Sequence, residues 1–311
     1  MATIKSYSVG NGDMFCISHD SHNFTIIDCC LNDNVKDSAL SDLKALCGAN
    51  VMHRFISTHP DEDHIRGIKD IDDKIGIWNF CCVENNATKK TQSDNFDYYC
   101  KLRDAKVDVV VHDVFKGVTY KWLNQCGVGE DGKTDYGSAG IRFLWPEKRN
   151  PYYQKALTNA AKGNEYNNIS PIITYQLENG VAAMWMGDME SDFLEKIKEY
   201  VDWPKIDILF APHHGRDTAK VPEEILKNKL SPRVVVIGEA RSDDLNYYKG
   251  YNRILQNHAK DITFNCRTGW VDVFTSSPTY APTDKFLTQK NGHGSVTGGR
   301  YIGSFEVFNN T

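Results

Sequence analysis

The sequence lacks the features that identify membrane, exported and strongly basic proteins. No apolar run approaches the ~20 residues of a membrane-spanning helix, and the N-terminal stretch MATIKSYSVG does not resemble a signal peptide. The net charge is −5, which excludes an overall basic field but still allows a local basic surface. No Pro-rich linker divides the 311 residues. We therefore expect a cytoplasmic protein with no membrane contact.

Cysteine is present, but not in the arrangements typical of disulfide frameworks or thiolate zinc sites. The nine cysteines are an odd number, they include the vicinal pairs Cys29-Cys30 and Cys81-Cys82, and no CxxC occurs. Vicinal pairs have awkward geometry for a disulfide framework, and a thiolate zinc site needs closely spaced pairs. We expect reduced thiols that mostly pack in the core of a cytoplasmic protein.

Hydrophobic patterning predicts strands first and then alternating strands and helices. This order indicates two similar halves, packed sheet on sheet with helices outside. We expect one domain over 1–277 and a tail over 278–311 that caps the domain or its active site. Within the domain we expect a buried strand at Val51–Ser57 and a helix at Tyr251–His258. The polar segment 84–104 reads as a loop or an insertion, and Gly127–Gly140 as a hairpin tip.

One short stretch concentrates groups that bind metals. Residues 57–67 read STHPDEDHIRG, directly after an apolar run. Imidazole nitrogen and carboxylate oxygen together suit zinc, manganese or iron, and His59, Asp61, Asp63 and His64 supply both. A solvated polar loop is the alternative interpretation of this stretch.

Further acids and histidines follow other predicted strands. Asp28, Asp188 and the pair His213-His214 each come directly after a strand. In α/β folds, sites are built at the carboxyl ends of strands, so this recurrence predicts one shared site. Taken alone, Asp188 fits a helix N-cap as well as it fits a metal ligand. For Asp28, the closing of a turn is the alternative interpretation.

Taken in order, these motifs resemble those of the metallo-β-lactamase fold superfamily. THPDEDHIRG is similar to the HxHxDH signature, and closest to the HxDxDH version in the β-lactamase-like domain of ComEC-type competence proteins. TIIDCC, NNISPIITYQLENGVAAMWMGDMES, PKIDILFAPHHGRDT and PRVVVIG extend the resemblance over roughly residues 3 to 275. The resemblance implies an α/β protein with a four-layer αββα sandwich.

The resemblance also implies a dinuclear centre that binds two divalent ions, Mn²⁺ or Zn²⁺. His59 and Asp61 would bind the first ion, and Asp63 and His64 the second. Asp188 would bridge the two ions. A hydroxide held between them would attack the substrate, and Asp63 could accept the proton of that water, so Asp63 and Asp188 are the expected catalytic residues.

Other residues would complete or support this centre. His213 is expected to complete the second metal site, with His214 as a supporting residue rather than a ligand. Asp28 would orient a ligand or a loop. Asn168 and Ser170 belong to the Asn-x-Ser motif at the place where the superfamily usually has a histidine. Without that histidine the first site is richer in oxygen ligands, which favours manganese.

Two further departures from the family pattern concern substrate binding. The serine that usually follows HHG is replaced by Arg216, which is suited to grip a phosphate. A final family histidine is absent from the segment NYYKGYNRI, where Tyr248, Lys249 or Tyr251 is expected to contact the substrate instead.

These expectations combine into a metal-dependent hydrolase, with a phosphodiesterase or nuclease as the preferred activity. Two metal ions suit phosphoryl displacement, and the competence-protein branch is associated with DNA degradation. A nucleic acid or nucleotide is then the expected partner, and no protein partner is indicated. The alternatives are a small-molecule hydrolase acting on a cyclic nucleotide, phosphonate, lactone or thioester, and a non-catalytic metal-binding or regulatory module.

Overall fold

The computed structural model describes residues 1–50, 52–129 and 131–308, which form mixed α/β structure with two β-sheets. Val51 of the predicted strand, residue 130 of the predicted hairpin tip and residues 309–311 of the predicted tail lie outside the described residues.

The strands, in chain order, are β1 (Ala2–Ser6), β2 (Phe15–Ser18), β3 (Asn23–Ile27), β4 (Cys29–Cys30), β5 (Met52–Ile56), β6 (Asn79–Cys82), β7 (Val110–Asp113), β8 (Ile141–Trp145), β9 (Ile172–Gln176), β10 (Ala182–Trp185), β11 (Ile208–Phe210), β12 (Val234–Ile237), β13 (Arg253–Leu255), β14 (Ile262–Arg267), β15 (Trp270–Thr275) and β16 (Arg300–Glu306).

The α-helices are α1 (Lys36–Cys47), α2 (Glu62–Ile65), α3 (Ile68–Ile75), α4 (Asp94–Arg103), α5 (Pro151–Ala161), α6 (Ser191–Ile197) and α7 (Gln256–Ala259). Short 3₁₀ segments occur at Asn167–Ile169, Lys198–Tyr200, His213–Gly215, Asp217–Ala219 and Ser242–Asp244, and a π-helix at Glu224–Leu230. Among the described helices, none combines the length and apolarity needed to cross a membrane.

The larger sheet has nine strands in the order β16-β15-β14-β1-β2-β3-β5-β6-β7. The run from β3 to β7 is parallel, and the other pairings are antiparallel. The smaller sheet has the order β13-β12-β11-β10-β9-β8, with β10 to β13 parallel. Each sheet therefore has a parallel run whose carboxyl ends can carry a site.

The two sheets contact each other through a core that is rich in aromatic side chains. Phe210 stacks on Trp185 at 4.8 Å between ring centroids and meets Phe15 of the larger sheet edge-on at 4.9 Å. Phe264, also in the larger sheet, meets Phe210 at 6.2 Å. Burial of these rings joins the sheets, because aromatic side chains contribute the largest apolar areas to a core.

The opposite face of the larger sheet is covered by helices. Alternation along β3 turns Phe24 and Ile26 toward this side, where they join a second apolar cluster with residues of α1, α3 and α4. A strand exposes successive side chains on opposite faces, so a strand buried on both faces reads as a continuous apolar run.

Two predictions about local structure are wrong. The segment 84–104, predicted as a loop, contains α4, whose Phe96, Tyr99 and Leu102 are buried. These three residues recur at helical spacing among polar neighbours, and Ser93 caps the helix by accepting a hydrogen bond from the Phe96 backbone. The overall polarity of the segment concealed this stripe.

The predicted helix over Tyr251–His258 is also wrong for most of its length. Arg253–Leu255 forms β13, which pairs in parallel with β12 at the edge of the smaller sheet, and only Gln256–Ala259 is helical. Strand pairing with an existing sheet outweighs the local helical pattern here, as tertiary context commonly does.

The segment after residue 277, predicted as a capping tail, supplies the last strand of the larger sheet. β16 pairs with β15, with Val271 opposite Phe305. Phe305 and Ile302 are buried in the main core. The C-terminal segment thus contributes an edge strand to the larger sheet.

The contact between the sheets predicts a large effect on stability. Phe210→Ala should destabilise the protein by about 3–5 kcal/mol, because it removes a buried ring that three other rings contact. The measurement is the urea midpoint in the presence of a chelator. Tyr152→Ala, on the exposed side of α5, is the control and should change stability by less than ~0.5 kcal/mol. Equal effects of the two changes would contradict the assignment of this core.

Candidate metal centre

Several of the predicted site residues follow the carboxyl ends of parallel strands, and these ends lie on the same side of the two sheets. Asp28 and His59 follow β3 and β5, while Asp188 and His213 follow β10 and β11. Backbone hydrogen bonds align these ends: Asp28 N–H donates to the Ile56 carbonyl at 3.0 Å, and His213 N–H donates to the Gly187 carbonyl at 3.0 Å. The geometry follows from the parallel pairing in each sheet.

Several of these residues have left-handed backbone conformations, which non-glycine residues rarely adopt. The φ angles are 54° at Asp28, 52° at His213 and 55° at His214. Gly187 has φ 52°, and a Cβ added there would lie 2.5 Å from Ser170 Oγ. Conformations of this kind cost about 1–3 kcal/mol each at non-glycine residues and concentrate at functional sites.

His64 lies at the centre of the cluster and is held by two acids. Its Nδ1 donates to Asp28 Oδ2 at 2.8 Å, and Asp28 also accepts hydrogen bonds from the backbone and hydroxyl of Thr58. Its Nε2 lies 3.0 Å from Asp188 Oδ1, yet neither atom makes a hydrogen bond of acceptable geometry. A histidine whose Nδ1 is held by a carboxylate presents Nε2 as a metal ligand.

His214 has the same arrangement, with Asp13 in the place of Asp28. Its Nδ1 lies 2.9 Å from Asp13 Oδ1, and its Nε2 lies 3.4 Å from Asp63 Oδ2 and 3.8 Å from Asp188 Oδ2. Asp13 was not among the predicted site residues. In the sequence, the GNGD turn before β2 indicates only a hairpin. In the structure, Asp13 N–H donates to the Asp63 carbonyl at 3.1 Å.

Four buried side chains meet closely enough to hold one ion. Asp13, His64, Asp188 and His214 each offer one ligand atom, and these atoms all lie within 4.8 Å of one another. His213 borders this group, with its Nε2 3.3 Å from Asp188 Oδ2. Among the described residues, both histidines of the HHG motif therefore face the Asp188 carboxylate.

His59 and Asp61 lie on the other side of His64. The rings of His59 and His64 are 4.1 Å apart between centroids. Nδ1 of His59 lies 3.0 Å from Thr58 Oγ1 and 3.3 Å from Ser170 Oγ, which leaves its buried Nε2 without a hydrogen-bond partner, 3.6 Å from Asp61 Oδ2. Ser170 thus contacts a predicted ligand directly.

Charge in this cluster is shared between buried acids and histidines. Burial lowers the pKa of His64, but the charges of Asp188 and Asp28 outweigh it and raise that pKa well above its ordinary value. Burial would raise the pKa of Asp188, but the charges of His64 and His214 hold it well below its usual range. In the absence of metal, a protonated His64 therefore places a positive charge beside the ionised Asp188.

His59 differs from His64 and His214 in this respect. Burial, together with the charge of the neighbouring His64, lowers the pKa of His59 well below its ordinary value. Its imidazole is consequently neutral near pH 7, which is the form that binds a metal ion.

The cluster opens to solvent on the side of Asp61 and Asp63, two of the three acids in the HPDEDH stretch. The Asp61 and Asp63 side chains are 32% and 25% exposed, whereas those of His59, His64 and His214 are fully buried. Burial raises the pKa of Asp61 to about 6, although the charge of Lys89 opposes this change. A substrate would therefore approach from the Asp61 and Asp63 side.

The remaining predicted residues surround the cluster at greater distance. Asn168 exchanges hydrogen bonds with Glu190 and so holds the chain that follows Asp188. Arg216 donates to Asn11 Oδ1 at 2.7 Å, and Lys249 is exposed. The Tyr251 hydroxyl donates to Glu223 at 2.7 Å. The structure thus brings none of these four side chains into direct contact with the His and Asp cluster.

Comparison with known proteins gives no independent identification: no family model matches the chain, and no curated protein matches it significantly. The chemistry must therefore be judged from the side chains.

The donor set fits a divalent metal ion. Buried Nε2 of His64 and Oδ1 of Asp188 lack hydrogen-bond partners, and both residues belong to the group whose ligand atoms lie within 4.8 Å of one another. The buried Nε2 of the adjacent His59 also lacks a partner. An unpaired buried polar atom is costly, so a concentration of them is unfavourable unless a further group binds there. Nitrogen and oxygen donors in this mixture suit zinc or manganese.

The hydrogen bond between Asp28 and His64 yields a first test of this centre. Asp28→Asn removes the charge and one acceptor oxygen that fix His64, so we expect affinity for Mn²⁺ or Zn²⁺ to fall about 10–100-fold in a calorimetric titration. Asp113→Asn, at the end of the edge strand β7 of the same sheet, is the matched control and should bind like the unchanged protein. Unaltered affinity in Asp28→Asn would exclude this orienting role.

The raised pKa of Asp61 predicts a pH-dependent stability. Because the folded protein retains the Asp61 proton up to about pH 6, whereas the unfolded chain loses it near the ordinary value of 3.8, ionisation costs stability as pH rises through this interval. Asp61→Asn should therefore become more stable relative to the unchanged protein between pH 4 and about 6.5, as measured by denaturant titration with a chelator. The exposed Asp243→Asn should show no such trend, and a parallel trend would contradict the assignment.

Proposed function

We propose that this protein is a metal-dependent hydrolase of the metallo-β-lactamase fold superfamily, most similar to its HxDxDH branch. The observation that carries the proposal is the position of Asp188, whose carboxylate lies between histidines supplied by both sheets. A buried carboxylate with three histidines around it is suited to bridge two metal ions.

The fold assignment belongs to the same proposal. Two sheets in contact through Phe15, Trp185 and Phe210 support a sandwich, and α1, α3 and α4 cover the outer face of one sheet. On the other sheet, Trp145 contacts Tyr153 of α5 and Phe193 of α6. We infer a four-layer αββα arrangement from these contacts.

The ligands divide into two groups around Asp188. His59 and Asp61 would hold one ion. Asp63 and His64 would hold the other, completed by a histidine of the HHG motif. The distances favour His214 for this last position, because Asp13 orients it and its Nε2 lies near both Asp63 and Asp188. His213 would then contact Asp188 from the more exposed side.

When bound, two divalent ions would lower the pKa of a water molecule and stabilise charge that develops on a phosphoryl group. The protein's own residues would orient the reaction. Although burial opposes it, the hydrogen bond from His214 and the charge of His64 hold the pKa of Asp63 below its usual range. Its carboxylate is therefore ionised, and an oxygen that does not bind metal would accept a hydrogen bond from the attacking water.

A phosphodiester in a nucleic acid or nucleotide is the preferred substrate. The reasons are the resemblance of the motifs and the suitability of paired metal ions for phosphoryl displacement. The open side of the cluster at Asp61 and Asp63 would admit the substrate, and Arg216 would contact it from the loop after HHG.

Metal content and activity measured on the same preparations test this proposal. The purified protein should bind about two Mn²⁺ or Zn²⁺ ions per chain and cleave bis(p-nitrophenyl) phosphate, DNA or RNA. Asp63→Asn should lose about one ion, and Asp188→Asn both ions, with cleavage abolished in each. His112→Ala is the control, because His112 bonds to Asn79 at 2.8 Å outside the cluster.

Different failures have different meanings. No bound metal and no metal-stimulated cleavage would overturn the enzyme and leave a binding or regulatory module. Bound metal without phosphodiester cleavage would contradict the substrate class and direct the assay to lactones, thioesters and phosphonates.

A further inference from the structure

A single lysine lies beside the acids of the metal centre, and the sequence motifs do not include it. Lys89 Nζ is 4.0 Å from Asp61 Oδ1, at the open side of the cluster. Among the described residues, no other lysine or arginine nitrogen lies within that distance of the clustered carboxylates. These are the carboxylates of Asp13, Asp28, Asp61, Asp63 and Asp188.

The ammonium of Lys89 is held by rings rather than by hydrogen bonds. Its side chain is 13% exposed, and Nζ lies 5.2 Å from the centre of the Phe96 ring and 5.8 Å from that of Tyr166. The distance to Asp61 is too long for a hydrogen bond, and no other acceptor approaches Nζ in the described part of the chain. No described acceptor therefore bonds to this partly buried cation, which can donate to a ligand.

The loop that carries Lys89 is fixed to the neighbouring helix α5. Thr88 N–H donates to the Ala160 carbonyl at 3.2 Å, and its hydroxyl donates to the Ala161 carbonyl at 3.0 Å. The Tyr166 hydroxyl donates to the Thr88 carbonyl at 2.5 Å. A charge on a segment held in this way is preorganised, so little entropy is lost when it binds a ligand.

We propose that Lys89 binds an anionic phosphoryl oxygen of the substrate at the Asp61 side of the metal centre. This inference rests on the proposed function, because a metal ion bound by Asp61 would neutralise that carboxylate and leave the ammonium charge for the substrate. Lysine is a common phosphate ligand that acts as a point charge. Lys89 is therefore a residue for substrate recognition, distinct from the metal ligands.

Binding of inorganic phosphate to the Mn²⁺-loaded protein, measured by calorimetry, tests this role. Lys89→Met keeps the aliphatic stem between the two rings but removes the charge, so we expect phosphate affinity to fall at least ~10-fold, with metal content unchanged. The KM for bis(p-nitrophenyl) phosphate should rise by a similar factor. Lys89→Arg should retain most of the affinity, and Lys90→Met, whose lysine bonds to Asn164, is the matched control.

The outcomes separate this role from a structural one and from the proposed activity. Unchanged phosphate affinity in Lys89→Met would overturn the inference, and so would loss of metal, which would make Lys89 a support for Asp61. Phosphate binding that depends on Lys89 in a protein without cleavage would support the inference while contradicting the hydrolase. Cleavage with a KM insensitive to Lys89→Met would do the reverse.

Discussion

The buried carboxylate of Asp188 is the constraint on which the site depends. Removing a carboxylate from water costs free energy. For Asp188 this cost is offset by the nearby histidines His64 at 3.0 Å, His213 at 3.3 Å and His214 at 3.8 Å. His64 follows a strand of the larger sheet, while Asp188 and the HHG motif follow strands of the smaller one. The compensation therefore exists only when the two sheets are packed together, and the aromatic core around Phe210 is what brings them together.

The cost of the site extends to the backbone. Asp28, His213 and His214 have positive φ angles, and each is held by groups that the sheets position. His213 N–H bonds to the Gly187 carbonyl, and Asp28 N–H bonds to the Ile56 carbonyl. A strained conformation persists only where the surrounding structure determines it. The parallel strands thus stabilise both the location and the backbone conformation of the clustered side chains.

The position of a side chain can be predicted from the sequence best where that side chain follows a strand. Asp28, Asp188 and His213 occur at strand ends, and parallel strands bring such ends to one edge. Asp13 and Lys89 were missed because turns and loops bring them to the site, and no periodicity describes the path of a loop. The helix predicted at Tyr251–His258 failed because a neighbouring strand was available for pairing, which depends on distant residues. The local sequence pattern therefore predicts helices and strands better than it predicts which strands pair with each other.

The charges of the cluster explain why a metal ion, rather than further protons, is the group that best completes it. In the absence of metal, His64 and His214 balance the buried acids as cations. Asp188 and Asp28 raise the pKa of His64, and Asp13 and Asp188 raise the pKa of His214. The same two nitrogens that would carry these protons, Nε2 of His64 and of His214, face Asp188. A divalent ion at this position would replace the protons and also satisfy the atoms that lack hydrogen bonds. Because protons and metal compete for the same atoms, metal affinity must decrease as pH falls.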